Sequence, residues 1–133
     1  MSKFTKLMAL TFLVILVSCS SSNPDQVVIL KSPIEGVFYT VETHHGQGVL
    51  DDDYTRVYLH LERSGKSVKE LILSGEYVNV SKIEWANSTQ NTIFFDSGIT
   101  DTFRNEVTLS IGGVSQAFHA YLQETPSTFK PTK

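Results

Sequence analysis

The sequence predicts an all-β protein: a single antiparallel β-sandwich or barrel-like domain of about eight short strands, following an N-terminal signal segment that is cleaved off. Three observations carry this expectation. From Val27 onward apolar residues recur with a period of two, as on half-buried strands, and not with the helical period. Turn-forming residues interrupt the chain at spacings of roughly 8 to 15 residues, with no helical stretch between them. The first 18 residues have a different character, so the chain divides into a leader (1–18), a tether (19–26), a β domain (27–123) and a loose tail (124–133).

The leader opens with Lys3 and Lys6, continues through apolar residues 7–17 and ends on the small Ser18, where a peptidase would cut. That run is shorter than the roughly 18 to 20 apolar residues of a spanning helix, so removal is favoured over a permanent span. "SSSNPDQ" (20–26) is polar and contains Pro24, the composition of a flexible spacer that reaches at most about 25 Å. "VVILK" (27–31) is the first strand, stopped by Pro33. "GVFYTVETH" (36–44) sets Val37, Tyr39 and Val41 against Phe38, Thr40 and Glu42. "YTRVYLHLE" (54–62) sets Thr55, Val57, Leu59 and Leu61 against Arg56, Tyr58, His60 and Glu62, the pattern of a strand with one wet face. After the "RSGK" turn (63–66), strands are expected over 67–73, 77–85 and 91–95. A run over 102–111 then pairs through Gly112-Gly113 with 114–122, and Gly-Gly between two alternating runs suits a primed hairpin turn.

Cys19 is the only cysteine, which excludes an intrachain disulfide and a cysteine-based zinc site. Leu16-Val17-Ser18-Cys19, behind a basic and then an apolar stretch and ahead of a polar spacer, resembles the lipobox of bacterial lipoproteins. The resemblance covers about the first 20 residues. It implies a diacylglyceryl thioether on Cys19, cleavage before it and acylation of the new amino group. Two or three buried acyl chains hold a protein at a membrane where a single chain holds it only marginally. Ser20, rather than Asp, after the cysteine implies sorting to the outer membrane by the enterobacterial rule, with the domain on the periplasmic side; the inner membrane and the cell surface stay open.

Without the leader the chain carries nine basic and 14 acidic residues, a net charge of −5, and no cluster of five or more basic residues. Such a surface argues against nucleic acid as a partner. "GKS" (65–67) lacks the first glycine of a phosphate-binding loop, since position 60 is His, and "GQGVLD" (46–51) has Asp51 where a dinucleotide fingerprint needs glycine. No cofactor is expected.

Three groups of residues remain as candidates. In "HHGQGVLDDDY" (44–54), His44, His45, Asp51, Asp52 and Asp53 supply nitrogen and oxygen donors of the kind a divalent cation uses. Adjacent histidines on a strand point to opposite faces, however, and the acids lack the spacing of a calcium loop, so a solvated hairpin tip is the expected role and no metal is assigned. "DSGITDTFRN" (96–105) is expected to be a long connection whose Asp101, Phe103, Arg104 and Asn105 form a candidate binding loop. Trp85 closes an alternating strand, either as a core-edge residue or as an exposed recognition anchor. His60 is expected to make a surface pairing, and His119 to be a packed or hydrogen-bonded histidine.

The functional expectation is a non-enzymatic binding or interaction module, anchored to the membrane through lipid on Cys19 and contacting an envelope protein. An immunity or exclusion lipoprotein, which neutralises a toxin or blocks an envelope receptor, is the alternative within that class. A metal-dependent hydrolase built on the His44, His45 and Asp51–Asp53 group is the alternative from another class.

Overall fold

The computed structural model describes residues 23–46, 53–96 and 98–125. The leader, Cys19, residues 20–22 of the spacer, Asp51, Asp52 and the tail beyond Thr125 lie outside the described residues. Nine strands form: β1 (Gln26–Lys31), β2 (Val37–His44), β3 (Tyr54–Arg63), β4 (Lys66–Glu76), β5 (Val80–Trp85), β6 (Gln90–Phe95), β7 (Ile99–Phe103), β8 (Glu106–Ile111) and β9 (Val114–Glu124). There is no helix among the described residues. One sheet has the order β1-β2-β3-β4-β7 and the other β5-β6-β9-β8; they pack face to face as a sandwich, and neither closes into a barrel.

The alternation in the sequence sets the two faces. Thr55, Val57, Leu59 and Leu61 of β3 are buried, while of the alternate residues Arg56 and Glu62 are exposed and Tyr58 and His60 half-buried. Thr55 is polar yet tolerated inside because its hydroxyl donates to the Val78 carbonyl at 2.8 Å. β8 repeats the pattern, with Val107, Leu109 and Ile111 inward and Glu106, Thr108 and Ser110 outward. The turns follow their residues. Gly112 and Gly113 have φ of 59° and 79°, the pair of positive values that a primed turn requires and that glycine adopts without a Cβ clash.

Two features depart from the sequence expectation. The expected single run over 102–111 belongs to two strands in different sheets. Arg104 N donates to Ile72 O at 2.8 Å in the first sheet, and Asn105 O accepts from Ala120 N at 2.9 Å in the second, so these two residues carry the chain across. The sheets are also not wholly antiparallel, because β6 and β9 pair in parallel. A parallel pair needs a long crossover, and the excursion through β7 and β8 supplies it. At the start of that excursion the backbones come very close: a Cβ on Gly75 would strike the Ile99 carbonyl, so the β4–β7 contact requires glycine there.

Tyr39 of β2 ties the layers together. It is fully buried, its ring lies 5.9 Å from Trp85, and Trp85 meets Phe118 edge-on at 6.4 Å. Its hydroxyl donates to Asn91 Oδ1 of β6 at 2.9 Å, a buried bond between the sheets. Burial pushes the Tyr39 phenol far above its ordinary range, which favours the protonated form that donates this bond. Asn91 Nδ2 finds no acceptor among the described residues, so Tyr39 is what compensates for burying that amide. Tyr39→Phe is therefore expected to cost about 1–3 kcal/mol in urea unfolding, because it strands a buried acceptor. Adding Asn91→Leu should recover part of the loss, and no loss from Tyr39→Phe would show that the bond contributes nothing.

Candidate functional site

The inner face of the five-stranded sheet is spent on the core, and its outer face is where polar, aromatic and charged side chains assemble. Register builds that face in rows across the strands. Lys31, Phe38, His60 and Lys69 stand side by side on β1 to β4, and the next row is Ile29, Thr40, Tyr58 and Leu71. Glu42, Arg56 and Ser74 follow, then His44 and Tyr54.

Neighbours within and between rows hold one another in place. Phe38 and His60 stack at 4.6 Å with their planes 9° apart, and His60 Nε2 lies 2.7 Å from Thr40 Oγ1. The Lys69 ammonium sits 4.5 Å above the Tyr58 ring, and the Arg56 guanidinium 5.6 Å from the Tyr54 ring. The Tyr54 hydroxyl contacts Ser74 Oγ at 3.2 Å and donates to Asp101 Oδ2 at 3.1 Å. Beside Phe38 an open groove of about 650 Å³ is walled by Ile29, Pro33, Ile34 and Glu62. Aromatic and Arg side chains fixed on a rigid sheet, next to an apolar groove, suit the recognition of another molecule by surface contact.

The residues singled out from the sequence are dispersed. Trp85 and Phe103 both pack against the core. They belong to different sheets, Trp85 on edge strand β5 and Phe103 on edge strand β7 opposite Leu73. Asp101 reaches the outer face through Tyr54, and Arg104 pairs with Glu70 at 3.2 Å. Asn105 serves the crossover through its main chain. The stretch expected as a loop is thus largely strand β7. The two histidines of the hairpin part company: His44 Nε2 lies 3.6 Å from Glu42, and His45 Nδ1 lies 3.2 Å from Asp53. Among the described residues no three His, Cys, Asp or Glu side chains converge on one point.

Sequence reasoning placed Tyr58, His60 and Glu62 together on the wet side of β3 but missed Phe38, Thr40 and Lys69 as their partners. The parity of β2 separates Phe38 and Thr40 from Val37 and Tyr39, which is half of the needed signal; the pairing register is the other half. Comparison with protein-family models, with curated proteins and with solved structures found no match.

His60 gives the face a measurable property. Burial among its neighbours, and then the Lys69 charge, hold its pKa below the ordinary imidazole value, while Glu62 and Glu42 pull weakly the other way. The unfolded chain therefore takes up the His60 proton more readily than the folded one. That share of stability is complete above the ordinary imidazole pKa of about 6.5 and is lost as pH falls from there through the lowered folded-state value. Urea midpoints measured from pH 8 to pH 5, a span chosen to bracket that ordinary value, should fall more steeply for the wild type than for His60→Gln; equal slopes would remove His60 from this role.

Proposed function

We propose that this protein is a lipid-anchored envelope lipoprotein whose β-sandwich is a non-enzymatic binding module. Acyl groups on Cys19 hold it to the outer membrane on the periplasmic side, and the outer face of β1 to β4 meets a protein of the envelope. The order of features in residues 1–26 supports the anchor: two lysines, an apolar run, Leu16-Val17-Ser18-Cys19 and a polar spacer. The observation that carries the binding reading is the Phe38–His60–Thr40 group with Tyr58 and Lys69, an ordered aromatic and cationic surface with no second layer of this chain upon it among the described residues. Folding alone does not demand it, because the same sheet already buries its other face against β5, β6, β8 and β9. The ordered side chains extend in rows over four strands, beyond the open groove beside Phe38, and a contact of that extent suits a macromolecule.

Two measurements test the two halves separately. Cys19→Ala is expected to abolish incorporation of labelled fatty acid and to leave uncleaved precursor; normal labelling and maturation would refute the anchor. For the binding face, a photo-crosslinking residue at position 58 should give a discrete adduct in the intact envelope that Lys69→Glu abolishes. The same probe at position 108, on the far sheet, should give none. Adducts from both positions, or from neither, would refute the assignment of the face.

A further inference from the structure

The two sheets leave an opening along one side of the sandwich. Between strands β1 and β2 of the first sheet and the residues that lead into edge strand β5 of the second lies an open cleft of about 220 Å³. Val28, Leu30 and Val41 line it on one side, Val80 and Ser81 on the other. Its floor is apolar: Leu30, Val41 and Val80 pack against the core yet are only partly buried, and Val28 is 40% exposed. Exposed apolar side chains in a concave site lose contact with water when another group covers them.

The chain itself arrives at the mouth of this cleft. Just past the end of β9, Thr125 N donates to Phe95 O at 2.7 Å, and Pro126 has no amide with which to extend the ladder along β6. Thr125 Oγ1 lies 3.3 Å from Ser81 Oγ, so the chain leaves the second sheet beside a residue of the cleft wall. Residues 126–133 read Pro-Ser-Thr-Phe-Lys-Pro-Thr-Lys, with one large apolar side chain, Phe129, and two lysines unaccompanied by an acid. Four residues of extended chain span at most about 14 Å, which carries Phe129 from Thr125 into the cleft. The charges are complementary as well. Asp96 Oδ1 accepts from Asn79 Nδ2 at 2.8 Å and Asp25 N donates to Thr43 O at 2.9 Å, and both Asn79 and Thr43 line the cleft, so an acidic residue flanks it on each sheet.

We infer that this cleft is the docking site of the chain's own residues 126–133, with Phe129 seated against Val28, Leu30 and Val80. The docked segment is a strap between the sheets. It covers the inner side of β1, whose only strand partner among the described residues is β2, and ties it to the start of β5. The inference depends on neither the lipid anchor nor the outer binding face, because Val28 and Leu30 point to the opposite side of β1 from Ile29 and Lys31.

A photo-crosslinking phenylalanine analogue placed at position 129 of the full chain tests the docking. It should give an adduct within one chain that peptide mapping assigns to residues 26–31 or 78–81, in a yield that dilution leaves unchanged. Val28→Asp should cut that yield about tenfold by setting a carboxylate against the ring. Urea unfolding supplies a second readout without the probe: Phe129→Ser should lower the midpoint of the wild-type chain and leave that of the Val28→Asp chain unchanged, since the two positions share one contact. An adduct between two chains, an adduct elsewhere on the molecule, no adduct, or an equal loss of midpoint in both backgrounds would overturn the inference.

Discussion

The contact of Tyr39 with Asn91, Trp85 and Phe118 is the interaction on which the rest of the sandwich depends. A domain of this size without a disulfide is held by its core alone, and here the core is the seam between two sheets. Tyr39 is large enough to span that seam: its ring lies beside Trp85, and its hydroxyl donates to the buried side-chain carbonyl of Asn91 in the opposite layer. Fixing Tyr39 inward fixes the parity of β2, and through the β2–β3 register it fixes the parity of β3. A slip of one residue would turn Leu59 and Leu61 to water and drive Tyr58 and His60 into the core.

The outer face is a consequence of the same constraint. Once Val37 and Tyr39 point inward, Phe38 and Thr40 must point outward, and pairing brings them to His60 and Tyr58. What folding does not dictate is the chemistry found there. A solvated sheet face is served by scattered charges and threonines, whereas this one has a stacked ring pair, a hydroxyl bound to an imidazole and two cations over aromatic rings. These contacts hold the half-buried rings of Phe38, Tyr54, Tyr58 and His60 in place, which lowers the entropy lost when a partner covers them.

Much of the fold was legible in the sequence because alternation is a local signal. β3 was readable residue by residue, and the Gly112-Gly113 turn was readable from its two glycines. Features that depend on distant pairing were not. β7 merged with β8 because nothing local in "TFRNEV" shows that Arg104 bonds to Ile72 in one sheet while Asn105 bonds to Ala120 in the other. The parallel β6–β9 pair was invisible for the same reason. The outer-face cluster was half legible: alternation puts Tyr58 and His60 on the wet side, but the nine-residue connection between His44 and Tyr54 is too long to set the register that brings Phe38 to His60. Of the two roles that the sequence leaves open for Trp85, packing against the core is the core-edge one, and Phe103 of the candidate loop packs against the core as well, which only the tertiary arrangement reveals.

Native-state hydrogen exchange tests most directly whether both sheets depend on the Tyr39 seam. If they form one cooperative body, the amides of Tyr39 and Leu59 in the first sheet and of Ile93 and Phe118 in the second will exchange with a single opening free energy, equal to that of global unfolding. Two distinct free energies, one for each sheet, would contradict the account by showing that either layer stands without the other.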